Sequence, residues 1–153
     1  MTIGELIGAN HVIVGLRVAS KTQLLQELAR RVGAALSLDQ RMVLDALQTR
    51  ENLGATGLGN GFALPHARLG VLQRSFVLFV RLSRPIDFGS IDGLPVDLVI
   101  LLLTRRMLTI SIWQCWLHCH DHCALRHLCS VCGRHQMQQR FITCWPGRTC
   151  SLG

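Results

Sequence analysis

The sequence predicts an α/β fold in which a mixed β-sheet is flanked by helices. Two amphipathic patterns with capping residues occupy the first third of the chain, and two continuous β-favouring runs, SFVLFVRLS and VDLVILLLT, follow them. Strands that are apolar throughout usually lie at the centre of a sheet, with both faces covered. At 153 residues and 49% hydrophobic composition, the chain is long enough for one domain with its own core.

The chain is expected to open with one short strand and one helix. Apolar residues alternate with other residues from 12 to 16, which is the period of a half-buried strand. Ser20 provides an N-cap and Gln23 follows three residues later, as in a capping box. The helix that we expect next has one apolar face, formed by Leu24, Leu25, Leu28, Val32 and Leu36.

A second helix is predicted after Ser37. Ser37 and Gln40 repeat the capping spacing, and apolar residues continue to Leu47. We expect this helix to end near Arg50, because Gly54 follows as a stop signal. Further along, the segment RPIDFGSIDGLP is rich in Pro, Gly and Asp, and it predicts a turn-rich connection between the two apolar strands.

Between the helices and the strands lies TGLGNGFALPHARLG, residues 56–70, in which four glycines surround one proline and one histidine. Its Gly-x-Gly-x-Gly spacing does not match the dinucleotide fingerprint, and no Lys-Ser or Lys-Thr completes a P-loop. We therefore expect a tight turn whose backbone N–H groups form a concavity suited to an anion. Pro65 holds His66 on a stiff edge, although a glycine-rich turn beside an ordinary histidine is the alternative interpretation.

A longer segment, DALQTRENLGATGLGNGFALPHARL, closely resembles the phosphorylation-site signature of the IIA domains of the bacterial phosphotransferase system. The resemblance covers residues 1–104 and includes RPIDFGSIDGLPVDLVILLLT. It looks most like the nitrogen-regulatory IIA proteins, and the fructose and mannitol IIA domains share the pattern more loosely. The resemblance implies the fructose/mannitol-like IIA fold. It also implies that His66 accepts a phosphoryl group and that Arg50 lies beside it and stabilises that group.

The resemblance further implies how the site works and which molecules it meets. A neutral imidazole has a free ring-nitrogen lone pair, which can accept a phosphoryl group from a phosphohistidine. The implied donor is a phosphohistidine carrier protein of the HPr or NPr type, and regulated target proteins such as transporters or sensor kinases bind according to phosphorylation state. No cofactor, metal, nucleic acid or membrane insertion is implied. A sugar-specific fructose or mannitol IIA component is the alternative within the same superfamily.

Other residues near His66 are candidates for phosphate and partner binding. Thr56, Gly59 and Asn60 carry loop groups that can hydrogen-bond phosphate oxygens. The apolar side chains that provide either a docking surface or core packing are Leu58, Phe62 and Leu64. The longest apolar run is about half of the ~20 residues that a membrane helix needs, and no signal peptide opens the chain, so we expect a cytoplasmic protein.

The composition changes after Thr104. Residues 1–104 hold ten Lys or Arg against eight Asp or Glu, whereas residues 105–153 hold six Arg against Asp121 alone. All seven Cys, all three Trp and five of the seven His also lie in this tail. The segments WLHCHDHC and CSVC make a zinc-binding regulatory module the alternative from another functional class, although their spacing matches no known finger or ribbon.

A shift of reading frame explains the tail better than a zinc site does. GC-rich codons assigned to residues 105–115, read from the third base of the Arg105 codon, encode Pro-Asp-Ala-Asp-Asp-Gln-His-Leu-Ala-Val. After LLLT the family continues with a proline, an acidic stretch and a His-Leu pair, none of which stands at that place in this chain, and the encoded peptide is similar to that segment. The Met and Trp codons, which have no synonyms, still agree. We therefore divide the chain into a IIA-like domain, residues 1–104, and an aberrant tail, residues 105–153, that is translated out of frame.

Overall fold

The structure, a computed structural model, describes residues 11–105 of the chain. Its elements in chain order are β1 (Val12–Leu16), α1 (Lys21–Leu36), α2 (Gln40–Asn52), β2 (Gly57–Gly59), β3 (Phe62–Ala63), β4 (His66–Arg68), β5 (Phe76–Ile86) and β6 (Val96–Thr104). Neither helix of this part is long and apolar enough to span a bilayer. The Cys- and His-rich tail lies outside the described residues apart from Arg105, and with it the zinc alternative and the reading-frame hypothesis.

The strands form one six-stranded mixed sheet, which confirms the predicted fold class. Its order is β1-β5-β6-β3-β2, and β4 pairs with β6 as well. The two long strands β5 and β6 are antiparallel to each other. β3 and β4 run parallel to successive parts of β6, with Ala63 opposite Val99 and His66 opposite Leu102. β6 therefore aligns the backbone on both sides of Leu64 and Pro65.

One hydrophobic cluster joins both helices to the sheet. Leu24 and Leu28 of α1 and Val43 of α2 are fully buried, as are Val80 of β5 and Leu101 of β6. Fully burying an aliphatic side chain of this size stabilises a fold by about 1.5–3 kcal/mol. This packing holds α2 against the sheet, where it contacts β4. The end of α2 is thereby brought to the start of β4.

The helix caps agree with the sequence pattern for α1 and differ from it for α2. The Oγ of Ser20 accepts a hydrogen bond from the N–H of Gln23 at 3.2 Å, and Oε1 of Gln23 accepts one from the N–H of Ala19 at 2.7 Å. The predicted N-cap at Ser20 is thus confirmed, whereas Gln23 bonds the residue before the cap and not the cap itself. Asp39, however, is the N-cap of α2. Ser37 ends α1 in the left-handed conformation, with φ of 53°, so the prediction that it caps α2 is wrong.

The glycine segment forms a short β-hairpin, and the tight turn expected from its sequence lies between the two strands. β2 and β3 pair antiparallel, with Gly59 opposite Phe62. Asn60 and Gly61 between them both have positive φ, 52° and 79°. Positive φ at both central residues is the requirement of a two-residue type I′ turn, for which Asn-Gly is the favoured pair. The tight turn was predicted from the sequence but the hairpin was missed, and the concavity suited to an anion stays a prediction.

Candidate functional site

His66 stands at the first position of β4, where the sheet fixes its backbone. It lies opposite Leu102 of β6, and the N–H of Leu102 donates a hydrogen bond to the carbonyl of Pro65 at 3.0 Å. Pro65 is buried, whereas the His66 side chain is half-buried. Strand pairing therefore restrains the backbone before His66 in addition to the proline ring, and the imidazole keeps access to solvent.

Each ring nitrogen of His66 has its own hydrogen-bond partner. Nδ1 lies 2.9 Å from the carbonyl oxygen of Leu64, and Nε2 accepts a hydrogen bond from Nε of Arg50 at 2.9 Å. A carbonyl oxygen only accepts, so Nδ1 carries the proton. A guanidinium nitrogen only donates, so Nε2 carries the lone pair. The two partners together assign the neutral tautomer that has its nucleophilic nitrogen at Nε2.

Arg50 reaches the ring from the last turn of α2. Its Nη1 also donates to the carbonyl of Gly54 at 3.1 Å, so two hydrogen bonds fix the plane of the guanidinium. A basic residue in the last turn is favoured by the partial negative charge of the helix end. The structure thus brings together Arg50 and His66, the two residues to which the sequence resemblance gives the main roles.

The surroundings of His66 favour its neutral form. Its pKa is lowered from the usual value, chiefly because burial disfavours the charged ring. The hydrogen bond to Leu64 opposes this effect, the positive charge of Arg50 lowers the pKa further, and the negative charge of Glu51 raises it. Since an unperturbed histidine already titrates at about 6.5, a lowered pKa makes the neutral ring the favoured form at pH 7.

The sequence reasoning missed Glu51, which is buried next to Arg50 with only 9% of its surface exposed. Its carboxylate accepts hydrogen bonds from the N–H of Thr56 at 3.0 Å and from the Thr56 hydroxyl at 2.5 Å. Lys21 Nζ lies 2.5 Å from the same carboxylate and 4.8 Å from the centroid of the Phe88 ring. An acidic residue at the C-terminal end of a helix is disfavoured by the helix dipole, and this placement was a signal that Glu51 has a tertiary partner.

The weaker phosphate-binding candidates have partners within the protein. The N–H and hydroxyl of Thr56 both donate to Glu51, and Thr56 is buried. The N–H of Asn60 donates to Oδ2 of Asp92 at 2.7 Å, and Gly59 at φ of 94° allows this carboxylate to approach. A role for these three residues in holding a phosphoryl group stays a prediction. Within residues 11–105 no group of three His, Cys, Asp or Glu side chains is placed to hold a metal ion.

The apolar residues beside the site are mostly core residues. Phe62 and Leu64 are buried, with 7% and 6% of their surfaces exposed, and Leu58 is half-buried. Of the two functions considered for them, core packing therefore applies to Phe62 and Leu64. Large apolar side chains are instead exposed at Leu53, just after α2, and at Ile91, in the connection between β5 and β6.

Comparisons with known proteins show the family of the chain. The family model for the "phosphoenolpyruvate-dependent sugar phosphotransferase system, EIIA 2" matches residues 5–108. A nitrogen regulatory protein of Bradyrhizobium diazoefficiens is 48% identical over 103 residues, which are 67% of either chain. A nitrogen regulatory protein of Pseudomonas aeruginosa is 35% identical over 106 residues, 69% of either chain.

Solved IIA structures share the fold of the chain. The nitrogen regulatory protein IIA-Ntr from Neisseria meningitidis has a TM-score of 0.78 and 27% identity, covering 92% of this chain and 97% of that one. IIA mannitol from Escherichia coli has a TM-score of 0.73, and at 19% identity it shows the fold alone; the match covers 89% and 98% of the two chains. The chain therefore belongs to the EIIA 2 family of the phosphotransferase system, and it is a IIA domain of the nitrogen-regulatory type.

Proposed function

We propose that His66 accepts a phosphoryl group at Nε2 from a phosphohistidine carrier protein of the HPr or NPr type and later passes it on. The observation that carries this proposal is the pair of 2.9 Å contacts that leaves the lone pair at Nε2 and the proton at Nδ1. A nucleophile of this kind needs no base to activate it, because a neutral ring already presents its lone pair.

The transfer balances without any co-reactant. The Nε2 lone pair attacks phosphorus in line, and the bond from phosphorus to the carrier imidazole breaks, so that its electron pair returns to the carrier ring. His66 then carries the phosphoryl group on Nε2 and keeps its proton on Nδ1. The Leu64 carbonyl goes on accepting that proton in a hydrogen bond, and this bond becomes stronger as the ring becomes cationic.

Arg50 assists by moving from the ring to the phosphoryl group. Its hydrogen bond occupies the lone pair that must attack, so the guanidinium has to leave Nε2 as phosphorus approaches. The bond from Nη1 to the Gly54 carbonyl keeps it close to the reacting atoms during this movement. A planar guanidinium then donates to two phosphoryl oxygens at once, and it stabilises the charge that they carry in the transition state.

The proposal extends to the biological role. The nitrogen regulatory protein of Bradyrhizobium diazoefficiens aligns over 67% of its own length, whereas the fructose-specific EIIABC component of Bacillus subtilis is 28% identical and aligns over only 16% of its own length. We therefore infer that the protein is a cytoplasmic phosphotransferase with a phosphohistidine intermediate. Its regulatory output is state-dependent binding of targets such as transporters or sensor kinases.

The test is phosphorylation by the purified, phosphorylated carrier. We expect one phosphoryl group per chain that is labile in acid and stable in base, as a phosphoramidate is, and none in His66→Ala. His11→Ala is the matched control, since it removes the other histidine of the described part and should leave incorporation unchanged. A version with the restored reading frame is labelled in parallel. Phosphate mapped to any residue other than His66 contradicts the proposal.

A further inference from the structure

A continuous series of hydrogen bonds leads from the buried carboxylate of Glu51 to the imidazole of His66. Glu51 accepts from the N–H and the hydroxyl of Thr56. The carbonyl of Thr56 accepts from the N–H of Leu64 at 2.9 Å. The carbonyl of Leu64 then accepts from Nδ1 of His66 at 2.9 Å. The position of the group that fixes the His66 tautomer is therefore tied to Glu51.

Glu51 is itself anchored firmly enough to serve as a fixed point. It is buried at the end of α2, and Lys21 from the first turn of α1 lies 2.5 Å from its carboxylate. The Lys21 ammonium also lies over the Phe88 ring. Burying a carboxylate is costly unless several donors satisfy it. Three donors from two separate segments do so here, and they join both helices to the chain that leads into β2.

We propose that Glu51 is a positioning residue that, through Thr56 and Leu64, keeps the proton of His66 on Nδ1 and the lone pair on Nε2. Its consequence for phosphoryl transfer rests on the proposed function of His66. The last turn of α2 then controls both sides of the ring, because Arg50 contacts Nε2 directly and Glu51 acts on Nδ1 through two intermediates.

The physical reason is that a neutral imidazole has two tautomers, and the partner of one nitrogen decides which of them is populated. If Thr56 is released, the N–H of Leu64 loses its fixed acceptor and the Leu64 carbonyl can turn away from Nδ1. Only the contact of Arg50 with Nε2 then disfavours a proton on that nitrogen, and a proton on Nε2 removes the nucleophilic lone pair. The negative charge of Glu51 also raises the pKa of His66, in opposition to the effects of burial and Arg50.

The experiment measures the tautomer of His66 by long-range proton–nitrogen NMR of the full chain, at a pH above the His66 pKa. We expect the parent ring to carry its proton on Nδ1. Glu51→Gln keeps the shape of the side chain but loses its charge and one acceptor. It should give a mixture of both tautomers and a phosphorylation rate about tenfold to a hundredfold lower, as expected for a misplaced reactive group. The His66 pKa should also fall.

Substitutions of Thr56 test the same series of bonds from its other side. Thr56→Val removes the hydroxyl at nearly constant shape and should shift the tautomer towards Nε2–H, whereas Thr56→Ser keeps both donors and should match the parent. If Glu51→Gln does not fold, the comparison of these two variants decides. An unchanged Nδ1–H population in folded Glu51→Gln, or equal populations in Thr56→Val and Thr56→Ser, overturns the proposal.

The tautomer measurement needs no phosphoryl donor, so it separates this proposal from the proposed function. If the tautomer responds as expected and the parent takes up no phosphoryl group, the positioning of His66 stands and its function as acceptor fails. If the parent is phosphorylated on His66 and the substitutions of Glu51 and Thr56 leave the tautomer population unchanged, the function stands and the positioning proposal fails.

Discussion

The two nitrogens of the His66 imidazole can satisfy Leu64 and Arg50 at the same time only when the ring is neutral. The Leu64 carbonyl requires a proton on Nδ1, and Nε of Arg50 requires a lone pair on Nε2. Protonation of Nε2 would place two donors 2.9 Å apart. This conflict agrees with the direction in which burial and Arg50 shift the His66 pKa, which is downwards. The site therefore keeps its nucleophile ready as the pH falls towards the usual pKa of histidine.

Substitution of Arg50 tests its effect on the rate of phosphoryl transfer and on the pKa of His66. Arg50→Ala should keep His66 as the acceptor but slow phosphoryl transfer by about 10²–10³-fold, because it removes charge stabilisation of the moving group. It should also raise the His66 pKa, since the positive charge beside the ring is gone. Arg50→Lys should recover only part of the rate, because an ammonium cannot donate in the same fork. Time courses of phosphorylation measure the rate, and NMR titration measures the pKa of His66.

The control for Arg50 lies on the same helix. Arg41 is exposed in the first turn of α2, and Arg41→Ala removes the same charge far from the last turn. It should change neither the rate nor the pKa of His66. Transfer at the parental rate in Arg50→Ala would exclude Arg50 from the transition state.

At the scale of elements, features that depend on neighbouring residues could be predicted from the sequence, whereas contacts between distant residues could not. The N-cap of α1 could be predicted because Ser20 and Gln23 lie within one turn, and the Asn-Gly hairpin was an equally local signal that the sequence analysis missed. The bond from Asn60 to Asp92 spans 32 residues and no periodicity reveals it. Arg50 and His66 are 16 residues apart, and it was the family resemblance, not their spacing, that predicted them as neighbours.

The β2–β3 hairpin depends on close approach to the connection between β5 and β6. A Cβ added at Gly57 would lie 2.8 Å from the Cα of Ser90, so Gly57→Ala must push backbone aside. Overpacking of this kind costs about 1–3 kcal/mol, and we expect such a loss in the free energy of unfolding by chemical denaturation. Gly54→Ala is the control, because a Cβ there meets nothing within 4 Å. Equal stability of the two variants would show that the close contact between Gly57 and Ser90 does not limit the size of the residue at position 57.

At the scale of the whole molecule, the chain consists of two compositionally different parts. The family match ends at residue 108, close to the point where acidic residues become rare and cysteines begin. The positive net charge of 7 arises mostly beyond Thr104, since the first 104 residues are nearly balanced. We infer that this charge reflects the codons of a shifted frame and carries no information about an anionic partner.

Zinc content and the coding DNA together test this inference. Structural zinc binds with about 10–16 kcal/mol, so a selected site would retain one ion per chain through purification. We expect much less than one zinc per chain, and no difference when Cys129 and Cys132 are both replaced by Ser, because an unselected tail has no reason to arrange four ligands tetrahedrally. Resequencing codons 100 to 115 should show a displaced frame. An intact frame, together with one tightly held zinc that the double substitution releases, would make the tail a metal module instead.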